Sequence, residues 1–529
     1  MSASAAALCP TYERRRPELT ALHIVVREHL ETFLATVREE RGKALPRYVE
    51  QELRRYVRCG IPAHGFLRVA CKRCGQEVLV AYSCKCRGAC PSCSARRMWD
   101  ATCHLCDHIL PDTAMRQWVL TAPYEVRRVM ALRPDALTAC HRFFVKEIAR
   151  WQKASSALAG AETGSVTFVQ RFHSALGSFV HFHVVCPDGV FTRDASGVVS
   201  FHVGRAPSRE EIASVAERVE KGMTRWLRRR KLIDERPIEE RSGETPELTP
   251  LEACMQLSLF GGTFLRVGRG DVEEDADEHR RGKQSPWTGE VRSFNIHAGV
   301  LIHKGDREGL ERLCRYGARP PFSLERISLL PDGRVAYRLK KARRNGATHL
   351  VMTPIQFLAR IAILIPPPRY PLQRFAGVLA PNSSWRRAVV AMRPSTKLPR
   401  PGEQPRPPPP KKKKPKPRKN NPAADLVFQD PGRPASSSAN TPELPDPGRP
   451  STSLGAGLLT PWAGRMDWPA LLQRVYLYDV LACPCGGTRT ILADVSDPDL
   501  VRHILHDLGL PADPPHVARA RDPTYDDDA

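Results

Sequence analysis

The chain has 529 residues, room for two to four domains that each bury a core. It carries 81 Lys and Arg against 57 Asp and Glu, a net charge of +24, with 41% hydrophobic residues. That surplus favours a polyanionic partner. No run of about 18 apolar residues spans a membrane. The start, MSASAAALCPTYERRR, lacks an apolar core of signal-peptide length, so the expectation is a cytoplasmic protein.

In chain order, Leu19 to Tyr56 reads as helices, with apolar residues at helical spacing and basic residues on the other face. A cysteine-rich segment follows, to about Cys106. From Arg116 to about Val203 come short strands: RQWVLTAP, SVTFVQRF, SFVHFHVV and GVVSFHV. Ser208 to Leu232 is helical and basic. Residues 234–289 are polar and charged and read as a loop or insertion. DREGLERLCRYGA is a helix, and ERISLL-PDG-RVAYRLK is a hairpin around a Pro-Asp-Gly turn. Thr353-Pro354 is an N-cap followed by Pro at the first helical position. The predicted domains are 15–110, helical and zinc-binding; 111–393, catalytic; 394–461, a disordered linker; and 462–515, a small C-terminal module. Between Lys397 and Lys419 the linker holds ten Lys and Arg and one acid, Glu403. It reads either as a sequence-independent DNA contact or as a solvated tether.

Seven of the sixteen cysteines lie between Cys59 and Cys93. Cysteines clustered in a reducing compartment read first as metal ligands. Cys71-Lys-Arg-Cys74 and Cys90-Pro-Ser-Cys93 are two C-x2-C pairs fifteen residues apart, as in a tetrahedral thiolate zinc site. The expected ligands of one structural Zn²⁺ are Cys71, Cys74, Cys90 and Cys93. Cys84 is a substitute, ahead of Cys59 and Cys86. Cys103-His-Leu-Cys106 could hold a second ion, but it falls on a predicted helix, where such a pair is more often packing.

In Phe179-Val-His181-Phe-His183-Val-Val, strand alternation puts both histidines on one face. Two imidazoles there can hold a divalent ion with positions open to phosphate oxygens. The same pattern also describes ordinary surface or core histidines, so a third ligand is required. Gln170 on the preceding strand is the first choice, ahead of His173 and His297. On the helix DREGLERLCRYGARPP, Leu310, Leu313, Cys314 and Gly317 form the buried stripe. Arg312, Tyr316 and Arg319 share another face, a phenol between two guanidiniums that can contact DNA phosphate.

The order of segments is CxxC…C…CPSC, VQRF…VHFH, ERLCRYGARPP, RFAGVLAPN and DVLACPCGG. It resembles the rolling-circle transposases of the "insertion sequence ninety-one" family over roughly residues 15–390 and 462–515. The resemblance implies an α+β protein with a ferredoxin-like core of the His-hydrophobic-His (HUH) endonuclease class. Its antiparallel sheet would carry His181 and His183, and an adjacent helix Tyr316. It implies Mg²⁺ or Mn²⁺ at the histidines and attack by Tyr316 on single-stranded transposon ends and target, giving a 5′-phosphotyrosine link and a free 3′-OH. It also implies work at the bacterial nucleoid. Some members have two tyrosines one helical turn apart; here the position four before Tyr316 is Arg312, so a single-tyrosine enzyme is expected. Cys483-Pro-Cys485-Gly-Gly is one residue short of the relatives' CPxCGG, which puts a zinc knuckle there in doubt. A replication initiator with the same nick-and-join chemistry, or a zinc-dependent DNA-binding protein without catalysis, are the alternatives. Relaxases place the tyrosine before the histidines, whereas Tyr316 follows His183 by 133 residues.

Overall fold

The computed structural model describes residues 15–233, 254, 285–342, 346–392 and 481–521. The expected linker and most of the expected 234–289 loop lie outside the described residues. The helices are α1 (Ala21–Arg41), α2 (Arg47–Val57), α3 (Pro91–His108), α4 (Tyr124–Leu132), α5 (Pro134–Ser156), α6 (Arg209–Arg229), α7 (Arg307–Ala318), α8 (Pro354–Leu364), α9 (Arg386–Ala391) and α10 (Pro498–Asp507). The strands are β1 (Phe66–Cys71), β2 (Glu77–Ala81), β3 (Met115–Thr121), β4 (Gly164–Phe172), β5 (Ser178–Pro187), β6 (Gly189–Arg193), β7 (Val199–Val203), β8 (Thr288–Val291), β9 (Phe294–Ile302), β10 (Ile327–Leu329), β11 (Val335–Arg338), β12 (His349–Met352), β13 (Gln373–Gly377) and β14 (Arg489–Val495).

The main sheet has six antiparallel strands in the order β13-β4-β5-β3-β9-β8. Its middle is ferredoxin-like. The chain runs β3, α4 and α5, β4, β5, α6, β9, and those strands lie in the order β4-β5-β3-β9. Two helical crossovers thus link parallel partners that have one antiparallel strand between them. α5 and α6 cover one face. Val180, Phe182 and Val184 are fully buried there, and Phe182 meets His141 of α5 edge to face at 5.6 Å. The other face is covered by α3 and α7 over Leu105, Cys106, Phe168, Val185, Leu313 and Cys314.

Local chemistry explains the element ends. Ser208 caps α6 in a reciprocal box with Glu211, and Thr353 caps α8 in the same way with Gln356, with Pro354 at the first turn. The Pro-Asp-Gly hairpin forms as β10–β11, with Gly333 at φ +80° in its turn, and β12 adds a third strand.

Two expectations change. Thr288 and Gly289, expected in the loop, belong to the edge strand β8. A Cβ on Gly289 would lie 2.5 Å from the Ala213 nitrogen, so only glycine lets β8 approach α6 this closely. The C-terminal segment, expected as a separate small module, instead supplies β14, which pairs with β1 to complete a sheet of order β14-β1-β2. The alternation in RTILADV suits an edge strand, but only the fold shows whose edge it takes.

Candidate active site and cysteine centres

The site begins with the pleat of β5. His181 and His183 point to the α7 side, with ring centroids 4.8 Å apart. Across the ladder Gln170 stands opposite His181, and Phe168 opposite His183. Helix α7 lies over this face. Asp306 caps its start by accepting from the Gly309 N–H at 2.8 Å. Near its end Gly317 lies against Phe168: a Cβ there would come within 2.5 Å of the ring. That close approach brings Tyr316 beside His183, ring centroids 5.4 Å apart and planes at 84°. His183 is buried, whereas Tyr316 is 44% exposed at the rim.

Surrounding groups orient the rings. His181 Nδ1 lies 3.0 Å from the Phe179 carbonyl, so it carries the proton and Nε2 presents the lone pair. His183 Nδ1 lies 3.0 Å from Nε2 of Gln117, an N–H donor, so in this arrangement Nδ1 accepts and Nε2 keeps the proton; a half-turn of the amide presents its oxygen to Nδ1–H and leaves Nε2 the lone pair. Gln170 donates from Nε2 to the carbonyls of Tyr316 (2.6 Å) and Gly317 (3.0 Å), tying β4 to the end of α7. Its Oε1 accepts from Arg319 at 3.4 Å and is the atom it can offer an ion. Two imidazoles and an amide oxygen beside them are a donor set that a divalent cation takes, once the Gln117 amide is turned to accept from His183.

His297 and His173 occupy other places. His297 lies on β9 across from Val119, which itself faces His183, so one strand separates it from the pair. His173 sits beyond β4, where its Nδ1 accepts from the Ala175 N–H at 3.0 Å. The arginines also part company. Arg319 follows α7 with extended backbone, yet its guanidinium lies 4.6 Å over the Tyr316 ring and 5.2 Å over Phe172. Arg312 is exposed and paired with Glu308 at 3.4 Å. Gln117 was missed by the sequence reading. Its only signal was a buried-face polar residue next to Arg116 in a strand whose centre, Trp118 to Leu120, is apolar.

Among the described residues, eight cysteines form two groups of four sulfurs rather than one. Cys90 and Cys93 gather with Cys59 and Cys84, and Cys71 and Cys74 with Cys483 and Cys485. The expected single site of Cys71, Cys74, Cys90 and Cys93 is therefore corrected. The hairpin β1–β2 carries its knuckle toward β14, while the other knuckle opens α3 next to the end of α2. In the first group, N–H groups of Cys84 and Cys93 point at the sulfurs of Cys59 (3.3 Å) and Cys90 (3.5 Å), as thiolates require. Cys86 instead donates to the Glu52 carbonyl, and Cys106 packs on Cys314 at 3.9 Å.

Two family models match the chain. One is described as a transposase zinc-binding domain and covers residues 25–122, including the knuckles of both cysteine groups up to Cys93. The other is described as a putative transposase and covers residues 164–386, from β4 through both histidines and Tyr316. No curated protein and no solved structure matches the chain. Fold, cysteine centres and matched domains together define a transposase, a nucleic-acid-processing enzyme that acts on DNA. Both matched domains are of the kind found in transposases of the "insertion sequence ninety-one" family, which the chain resembles. Among the described residues no helix is long and apolar enough to cross a membrane.

Proposed function

We propose that this transposase nicks and transfers single DNA strands by metal-dependent transesterification, with Tyr316 as nucleophile and His181, His183 and Gln170 as ligands of Mg²⁺ or Mn²⁺. The observation that carries this reading is the contact between the rings of Tyr316 and His183, at 5.4 Å. It allows the phenol oxygen and a metal-ligating imidazole to address the same phosphate. When bound, the ion supplies Lewis-acid stabilisation of charge at the scissile phosphate.

The remaining work falls to the chain. The Tyr316 oxygen attacks phosphorus and loses its proton to solvent. The bond to the 3′-oxygen breaks, and that oxygen takes up a proton. The products are a 5′-phosphotyrosine and a free 3′-OH. One phosphoester replaces another, so no nucleoside triphosphate is needed and a target 3′-OH can reverse the step onto new DNA. Exposure of Tyr316 at the rim suits entry of a flexible strand, and Arg319 places positive charge over the phenol ring. Arg312 adds charge one helical turn away. In this reading the substrates are the element's single-stranded ends and target during rolling-circle transposition, at the nucleoid in the cytoplasm.

The test is incubation with single-stranded DNA from the element's ends and Mn²⁺. A covalent protein–DNA adduct is expected, and none with Tyr316→Phe. An adduct that persists in Tyr316→Phe assigns the nucleophile elsewhere. Absence of any adduct from the unaltered chain favours DNA binding without catalysis.

A further inference from the structure

We propose that Cys71, Cys74, Cys483 and Cys485 hold a second zinc ion, which clasps the C-terminal segment onto the N-terminal domain. The two C-terminal sulfurs lie beyond both matched domains, which end at residues 122 and 386.

The geometry is that of a single tetrahedral ion. Zn–S bonds of about 2.3 Å place tetrahedral sulfurs about 3.8 Å apart. Here Cys71 and Cys485 are 3.5 Å apart, Cys74 and Cys483 are 3.6 Å apart, and all four sulfurs fall within 4.8 Å of one another. The backbone is shaped around them. The Arg73 N–H points at the Cys71 sulfur at 3.4 Å, as a thiolate requires. On the other side Gly486 turns the chain at φ +79°, its N–H donating to the Cys483 carbonyl at 2.8 Å. Gly487 then passes so close that a Cβ would lie 2.7 Å from the Cys71 sulfur and 3.3 Å from that of Cys485. The C-x-C spacing thus presents both sulfurs despite its missing residue. The Arg73 guanidinium donates to the Cys485 carbonyl at 2.9 Å, and the Lys72 N–H to that of Thr488 at 3.1 Å.

The segment also needs such a fastening. Its fully buried core is Phe66, Val495, Val501 and Leu505, and Val517 adds one partly buried contact to the main core, a small apolar area for a strand, a helix and the tail after them. Cys74 and Cys483 are 409 positions apart, so chain connectivity does little to keep them together.

The experiment is metal analysis of the full chain purified under reducing conditions. Two zinc ions per chain are expected, falling to one in Cys483→Ser/Cys485→Ser and to one in Cys90→Ser/Cys93→Ser. One zinc in the unaltered chain overturns the proposal, as does iron in place of zinc or two zinc ions retained in Cys483→Ser/Cys485→Ser. The first measurement needs no variant, so misfolding cannot mask it. A specific protease site placed after residue 440 tests the clasp itself. After cutting, the two fragments should co-elute, and should separate in Cys483→Ser/Cys485→Ser. Separation with zinc bound, or co-elution in that variant, overturns it.

Discussion

The ring of Tyr316 stands on the edge of His183 because Gly317, the next residue, has no side chain to keep α7 away from Phe168. Register on β4 and β5 places Phe168 opposite His183, so sheet pairing and a helix contact fix the same distance. Each part of that arrangement can be perturbed separately.

Gly317→Ala introduces a methyl group 2.5 Å from a buried ring. Alanine gains about 1 kcal/mol in helix propensity over glycine. Overpacking costs about 1–3 kcal/mol and should prevail, because Phe168 is itself enclosed. Denaturant unfolding is expected to show a net loss of stability. Adduct yield should fall further than DNA binding, and adding Phe168→Leu should recover part of both.

Gln117→Leu removes the amide that orients His183 through Nδ1. Loss of such a partner typically costs 10–100-fold in metal affinity. The Mn²⁺ concentration for half-maximal adduct formation should rise by about that factor, with the yield at saturation nearly kept. An unchanged Mn²⁺ midpoint would remove Gln117 from the site.

His141 is buried beside Thr167, and desolvation pushes its pKa down to about 3. The unfolded chain binds the proton near pH 6.5 and the folded protein does not. The neutral ring is therefore compatible with full stability above about pH 6.5, and stability drains away as pH falls from there toward about 3. In His141→Gln, urea midpoints measured across that window should fall less steeply.

Arg116 and Asp188 form a buried bidentate pair, with bonds of 2.7 and 2.8 Å. Arg116 also donates to the Ala298 carbonyl at 3.0 Å, joining the end of β5 to β3 and β9. Asp188→Ala strands a buried guanidinium and should cost about 3–5 kcal/mol in denaturant unfolding. Asp188→Asn should cost less.

Local pattern carried much of this fold. Alternation in SFVHFHVV gave the strand and the shared face of its histidines. Helical spacing in ERLCRYGA gave the buried stripe, and Thr353-Pro354 gave a helix start. Linear spacing misled where distant segments compete. Two C-x2-C pairs fifteen residues apart suggest one ion, but β14, far along the chain, takes the first pair for itself. Cys59 carried no motif because its partners are supplied by the loop after β2 and the start of α3. Gln117 was invisible because its meaning comes from a histidine 66 positions later, met through sheet register.

The placement of β14 also has a temporal side. During synthesis β1 emerges some four hundred residues before the strand that covers its edge, since Cys74 and Cys483 are 409 positions apart. Until then the nascent N-terminal sheet shows an open row of backbone donors and acceptors, the kind of edge that recruits other chains. A frameshift or stop codon after Met392 would leave the six-stranded sheet whole and that edge permanently bare. Such a truncated product is expected to aggregate or to be captured by chaperones, so a late lesion in the gene can silence the protein without touching His181, His183 or Tyr316.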